Sequence, residues 1–540
     1  SCSASTNSPP TTQHLQPIFL YLNINFPESL KNLIFPLIVL IATTAFAQPK
    51  KYQGLLWEIS GNGLQKKSYV YGSMHVSEKV SYHLSDAFFT HLLASDYVAT
   101  ESDPSTWLEL YAVFAQGRNF DTSYSGFYRH PVKREDLLSL FESSNYLMNN
   151  LMFRTNEARQ DYQEETYLDL FIYQAGRKYS KKVVGLENAR KSITDVLKAE
   201  PQSFNPDQEK LQAIMKLLRE RSYNQAMNDF YREKNLDLLD SLYVLATPKP
   251  YFKALILDRN VTMANGIDSL ARKGSLFAAV GAAHLPGKRG IIELLREKGY
   301  TVKAVNDGYS DVGRKLKSNI ESHFRKADFE VVQSRDSVIS VPMPGGANYF
   351  GTNTISPDLS NGAMMTVKRV ALRQFLQKTD EVFDPARLDS LFYEHIPGEI
   401  LSRTFSKTDE FPTYDITSKT RSGQTSRFRF YITPLEIIAV SMSGKANYIQ
   451  QFEKETFPKI MFASQRNDWK RVYPFNAEFS LESPQTRIVY SKERGSEGTE
   501  VNAYDSSDNS WYFAIEKTVS DNTFIEDPDF ELGRIAFEFL

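Results

Sequence analysis

Cysteine is nearly missing from this chain: the only one among 540 residues is Cys2. It precedes an apolar N-terminal run, so the sequence beyond that run has none. Disulfide frameworks, thiolate nucleophiles and thiolate metal sites are thereby excluded from the folded part. No cysteine follows the apolar run either, where a lipid attachment would require one. Charge of one sign is lacking too. Lys and Arg number 63 against 65 Asp and Glu, a formal net charge of −2, which leaves no electrostatic footprint for nucleic acid. His-Glu-x-x-His and Gly-x-Ser-x-Gly do not occur, so zincin and serine-hydrolase readings lack their signatures. Gly281–Arg289 faintly resembles a phosphate loop, but its glycines are spaced one residue too far apart. Arg289 also stands where Ser or Thr would meet magnesium.

What is present begins with an export signal. Lys31 is followed by the apolar run 32–42, which contains Pro36, and then by Ala45-Phe46-Ala47-Gln48. A positive residue, a short apolar stretch and a small-x-small site read as a secretory signal cleaved before Gln48. The run is short of the roughly 20 apolar residues a spanning helix needs. Residues 1–47 are therefore expected to be leader and signal. The mature chain is expected to be exported, periplasmic or secreted in a bacterial envelope, touching a membrane only through an uncleaved signal.

So long a chain exceeds one core, and two or three domains are expected. From Tyr52 to about Asp307, strands alternate with long helices. Leu55–Ile59 and Ser68–Tyr71 read as a hairpin around Gly61-Asn62-Gly63. Further strands are expected at Asp96–Thr100, Lys181–Leu186, Leu276–Val280 and Tyr300–Val305. Helices are expected at Leu84–Ala94, Ser105–Gln116, Lys133–Glu142, Glu157–Arg177, Pro206–Arg219, Gln225–Leu245, Tyr251–Arg272 and Gly290–Lys298. Beyond about 310 the strands alternate polar and apolar residues: Phe329–Val332, Val338–Val341, Phe428–Ile432, Glu436–Met442, Ala477–Leu481 and Trp511–Glu516. A helix, Tyr448–Phe462, interrupts them, and Arg534–Leu540 has the apolar look of a last strand. The class is α+β, with an N-terminal mixed sheet flanked by many helices and a smaller strand-rich α+β region after it. The expected domains are 48–308, then 309–470, then a strand-rich unit at 471–540 suggestive of a partial repeat.

Chemistry points to two matching sequences, Gly72-Ser73-Met74-His75 and Gly281-Ala282-Ala283-His284. Each leaves an apolar strand toward a helix, and the pair hints at an internal duplication. Gly72 and Gly281 permit the sharp turns, and each histidine falls where strand ends open onto a crevice. Glu101 and Glu187 also sit just past strand ends. Two imidazoles with one or two carboxylates make a mixed N/O set suited to Zn, Mn, Co or Fe, with positions open for water. Against this, Glu101 reads equally as a helix cap, and Glu187 as a first-turn partner of a helix dipole. His83, His91 and His130 lack such context. Met148, Met152, Met215 and Met227 read as helix-packing side chains.

These residues resemble a known family. Leu55–Ile59 leading to Tyr71-Gly72-Ser73-Met74-His75, Glu101, Val184-Gly185-Leu186-Glu187, Asp258-Arg259-Asn260 and Val280–Gly287 occur in the order of the TraB/GumN family, which is related to the Tiki metalloproteases. The resemblance covers about residues 52–307. It implies an erythromycin-esterase-like fold and peptide-bond cleavage with a divalent ion such as Mn or Co. His75, His284 and Glu101 would be metal ligands or catalytic groups, with Glu187 and Arg259 at positions of less settled role. Ala283 departs from the family, which often has glycine there.

The expected function is that of an exported metal-dependent hydrolase, a peptidase acting on a peptide or small-molecule substrate. Its divalent ion (Mn, Co or Zn) would be held by His75, His284 and Glu101, with Glu101 or Glu187 relaying the proton. The rival is a non-catalytic metal- or haem-binding envelope protein on the same scaffold. A third reading is an adaptor whose first domain is catalytically retired.

Overall fold

The computed structural model describes residues 51–107, 164–199 and 206–539 apart from short internal stretches, the longest being 373–383 and 518–524. The leader, the helix expected at 133–142, most of that at 105–116 and the first part of that at 157–177 lie outside the described residues. The fold described below lies within Tyr52–Leu540.

Six strands form the first sheet: β1 Leu56–Ser60, β2 Ser68–Ser73, β3 Tyr97–Thr100, β4 Lys182–Gly185, β5 Leu276–Gly281 and β6 Thr301–Ala304. Their order is β4-β3-β5-β2-β1-β6. The first three pairings in that order are parallel, and the last two antiparallel. The sheet is thus mixed and the class α+β. The central strand β5, Leu-Phe-Ala-Ala-Val-Gly, is buried along its whole length, which explains a run without polar alternation. Each large apolar side chain so buried contributes roughly 1.5–3 kcal/mol. The edge strand β6 alternates instead, exposing Thr301 and Lys303 while Val302 is buried.

Helices cover the sheet where apolar spacing put them, with informative exceptions. Asp86–Ala94 starts at Ser85, whose hydroxyl caps Phe88 N–H, and buries Phe88, Phe89 and Leu92. The helix expected at 225–245 is two, Tyr223–Arg232 and Leu236–Ala246. Lys234 takes φ +55° between them, its carbonyl accepts from Gly54 N–H, and the Asn235 side chain caps Leu238 N–H. That asparagine is a start signal inside an otherwise continuous apolar pattern. The helix expected at 251–272 has three segments, Lys249–Phe252, a π turn Lys253–Leu257, and Asp258–Ala271. Gly299, at φ +91°, stops the helix Ile291–Glu297, the left-handed cap that favours glycine.

After the helix Asp311–Ser322 the chain turns strand-rich. A seven-stranded antiparallel sheet runs, in spatial order, Glu399–Ser406, Thr413–Lys419, Gln424–Ile432, Glu436–Lys445, Ala363–Ala371, Asn353–Asp358, Asn348–Phe350. Helix Tyr448–Thr456 buries Tyr448, Ile449 and Phe452 in one core cluster with Val440 and Met442. Helix Asp389–His395 buries Leu391 and Phe392 in another with Ile437 and Ala439. The helix expected at 448–462 ends at Thr456, because Pro458 removes a donor; a 3₁₀ turn and the short strand Met461–Phe462 follow. Gln485–Glu493, Ser496–Asp505 and Ser510–Lys517 form a separate meander. Two expectations fail here. Ala477 lies outside the described residues and the strand is Leu481–Ser483. The apolar finish is the helix Pro528–Phe539 and not a strand.

Candidate active site

β2 and β5 are parallel neighbours in a register that pairs Gly72 with Val280 and Ser73 with Gly281. The two Gly-x-x-His loops therefore leave the sheet side by side at one level. Neither histidine enters a helix at once: His284 closes a 3₁₀ turn, Ala282–His284, and the helix after His75 begins only at Asp86. The loops interlock at Gly72, where a Cβ would stand 2.9 Å from Leu285 Cδ1 and 3.1 Å from Ala282 Cα. Gly281 has a φ of −54° that any residue adopts, so space and not backbone freedom calls for glycine. A Cβ there would lie 3.0 Å from Glu101 Oε1, 3.1 Å from His75 Nε2 and 3.4 Å from His284 Cδ2. Three side chains thus converge on one point in front of a bare glycine. β3, on the other flank of β5, delivers Glu101, and β4 delivers Glu187.

Each ring is aimed by its far nitrogen. His75 Nδ1 lies 3.0 Å from Asp169 Oδ2, while the other oxygen of Asp169 accepts from Ser73 Oγ at 2.9 Å. This leaves His75 Nε2 facing Glu101 Oε1 at 3.4 Å. His284 Nδ1 lies 2.6 Å from Asn260 Oδ1, and Asn260 Nδ2 donates to the Arg289 carbonyl at 2.8 Å. With its amide nitrogen so committed, Asn260 presents an acceptor, and the network assigns the proton to His284 Nδ1. Nε2 is then a bare lone pair, 3.6 Å from Glu101 Oε1.

Glu101 is itself clamped. Oε1 accepts from Gly281 N–H at 2.5 Å and Oε2 from Arg259 Nη2 at 2.6 Å. The same guanidinium grips Glu187, with Nε 3.1 Å from both carboxylate oxygens and Nη2 2.6 Å from Oε1. The π turn Lys253–Leu257 directly precedes this arginine. Such turns re-aim the residues that follow and recur at functional sites.

The environments set the two imidazoles apart. His284 is 4 % exposed, and burial lowers its pKa to about 4 against the pull of Glu101. The His75 side chain is half exposed; the Asp169 carboxylate first, and Glu101 also, hold its imidazolium well above the usual range against desolvation. Burial alone would raise Glu101, but His75, His284 and Arg259 outweigh it and hold the carboxyl well below its ordinary value. Three carboxylates, Glu101, Glu187 and Asp169, surround a single permanent cation, Arg259. The His75 imidazolium meets part of that imbalance, and an ion in front of Gly281 would take the place of its proton.

Of the residues read from the sequence, His75, Glu101 and His284 meet directly, Gly72 and Gly281 shape their loops, and Glu187 and Arg259 join through the guanidinium. Asp169 and Asn260 were given no role. The signal for Asp169 was an acid inside the apolar run Leu168–Ile172, and it is 4 % exposed. His83 stacks on Tyr309 and His91 on Tyr69, away from the site. Met227 is buried, whereas Met215 is 63 % exposed and packs no core.

As placed, no group of three or more His, Cys, Asp or Glu among the described residues already forms a metal cage. The donor set nonetheless suits a divalent ion. It has two imidazole nitrogens and a carboxylate oxygen, each imidazole braced behind by an oxygen acceptor as metal-binding histidines are. Their 3.4 and 3.6 Å separations are close to the roughly 3–3.5 Å between two ligands of one ion. The cradle left by the missing Cβ of Gly281 lies among them.

Residues 55–121 and 135–304, less than half of the chain, match the TraB/PrgY/gumN family. No curated protein matches. Among solved structures, the solution structure of cyanobacterial PsbP (CyanoP) from Synechocystis is similar over 26 % of this chain and 95 % of that one. Identity is 9 % and the TM-score 0.21, so the likeness carries no argument.

Proposed function

We propose, from the match of residues 55–121 and 135–304 to the TraB/PrgY/gumN family, that the chain is a member of that family and an exported, metal-dependent hydrolase that cleaves peptides. One observation carries the reading: His75, His284 and Glu101 meet within 3.4 Å of the point where a Gly281 Cβ would stand. His75 Nε2, His284 Nε2 and Glu101 Oε1 would hold the ion, of Mn, Co or Zn type. When bound, a divalent ion polarises a carbonyl and lowers the pKa of water toward ~7. Asp169 and Asn260 fix the two rings so that both Nε2 atoms face the same point. Arg259 holds Glu101 by Oε2 and leaves Oε1 turned toward the histidines. Glu187, with both oxygens on Arg259, anchors that arginine. The half-open side of His75 is where substrate reaches the centre. The signal read at Lys31–Gln48 supports a destination in the bacterial envelope.

The test is to substitute His75→Ala and His284→Ala separately and to follow metal content and cleavage of a peptide library. Loss of both properties in each variant supports the proposal. Undiminished cleavage in both ends it. Retained metal or haem binding by a wild-type protein without any cleavage favours the non-catalytic rival.

A further inference from the structure

The carbonyl of Gly72 is held by a side chain at the point where β1 has run out. Gly72 N–H donates to the Leu55 carbonyl at 2.8 Å, one residue before β1 begins at Leu56. The Gly72 carbonyl accepts instead from the Tyr231 hydroxyl at 3.0 Å. That hydroxyl has a single proton and gives it to Gly72. At 3.3 Å from Tyr71 Oη it must therefore accept from Tyr71. Tyr231, Tyr71 and Ser73 are all buried. Tyr231 stands in the last turn of the helix Tyr223–Arg232. The chain just beyond is fastened to the segment entering β1: Lys234 O accepts from Gly54 N–H at 3.0 Å, and Tyr52 O from Leu236 N–H at 3.1 Å. A helix tied down at its end, and not a loop, brings the donor to Gly72.

Gly72 needs such a hold. Leu285 and Ala282 leave no room for a Cβ there, and a residue without one is the freest to turn its peptide planes. The next residue is Ser73, whose hydroxyl donates to Asp169 Oδ1 at 2.9 Å. Asp169 Oδ2 in turn lies 3.0 Å from His75 Nδ1. Turning the Gly72–Ser73 peptide would swing the serine hydroxyl off Asp169 and loosen the carboxylate behind the His75 ring.

We propose that Tyr231 is a positioning residue for His75. Its hydroxyl fixes the plane of the Gly72–Ser73 peptide and, through Ser73 and Asp169, the direction in which His75 Nε2 points; in catalysis that role rests on the metal-dependent hydrolysis proposed above. Burial first, with Tyr71 and Asp169 adding, pushes the Tyr231 phenol well above its ordinary range, so it keeps its proton and remains a donor at neutral pH.

The experiment compares Tyr231→Phe with Tyr71→Phe in the full chain. Each removes one hydroxyl from the same buried pair, but only the first takes a donor from Gly72. In the metal-free protein, the downfield proton resonance of His75 Nδ1–H, assigned by its loss in Asp169→Asn, should broaden or vanish in Tyr231→Phe and persist in Tyr71→Phe. Manganese affinity and kcat for peptide cleavage should fall about 10–100-fold in Tyr231→Phe, the range for lost support of a ligand, with KM little changed. Neither should fall in Tyr71→Phe. Ser73→Ala, one link further along, should repeat the loss seen with Tyr231→Phe. An intact resonance in Tyr231→Phe or in Ser73→Ala overturns the proposal, and so does a loss of equal size in both tyrosine variants, which is ordinary packing. Should wild type cleave no peptide, the hydrolase reading falls, while the resonance still decides the role of Tyr231.

Discussion

Gly281→Ala adds one methyl group and no backbone strain, because the residue already has φ −54° and ψ 135°. Its effect must come from the space the methyl enters. Contacts of 3.0 Å to Glu101 Oε1 and 3.1 Å to His75 Nε2 are a few tenths of an ångström too short, so both groups must retreat. His75 can, since its side chain is half exposed. Glu101 is pinned by Gly281 N–H and Arg259 and moves less. Stability should therefore fall by only ~1 kcal/mol, the low end for overpacking. Metal affinity and cleavage should fall about 10–100-fold, the range for displaced ligand support. Gly72→Ala is the control: its methyl would press on Leu285 Cδ1 and the Ala282 backbone, costing about 1–3 kcal/mol of packing without touching a reacting group. Manganese titration calorimetry, peptide cleavage and urea unfolding on both variants separate the two effects. A Gly281→Ala protein that binds manganese and cleaves like wild type would refute the idea that an ion sits before that glycine.

Three further outcomes follow from the same geometry. Asp169→Asn should let the His75 imidazole pKa fall toward its ordinary value, since the Asp169 charge is the largest cause of its elevation; histidine NMR reads this directly, and an unmoved pKa contradicts the assigned pairing. Arg259→Ala leaves Glu101 and Glu187 buried without their shared cation, and urea unfolding should register a loss of about 3–5 kcal/mol; a near-neutral result would mean that the triad is not load-sharing. Asp240 is raised to about 6, by burial first and Asp237 second. The folded state thus holds that proton more tightly than the unfolded one, so the contribution is complete below about pH 4 and lost as pH rises through 6. Melting curves across that window should show wild type losing stability relative to Asp240→Asn, and parallel curves would count against the shift.

The legible part of the site came from residues whose roles are local. A strand, a glycine and a histidine three positions later announce a loop, and two such loops on neighbouring parallel strands bring His75 and His284 together. Glu101 and Glu187 were legible because strand ends point to one edge of a parallel sheet. Asp169 and Asn260 were not, because their function depends on which loop each helix packs against, and nothing in Leu168–Ile172 names His75 as the neighbour. Helix ends failed for a related reason. Apolar spacing ran through Asn235 and across Pro458, but a side-chain cap and a missing donor decided the breaks. The closing segment 534–540 has an apolar alternation that a strand would share, yet the chain is helical up to Phe539. Periodicity over so few residues does not separate the two states.

The central claim is that two distant imidazoles and one carboxylate share an ion. Elemental analysis of the purified chain and of a His75→Ala, His284→Ala double variant tests it most directly. The account predicts about one divalent ion per wild-type chain and none above background in the variant. Equal metal in both proteins, or peptide cleavage by the variant at the wild-type rate, would contradict it.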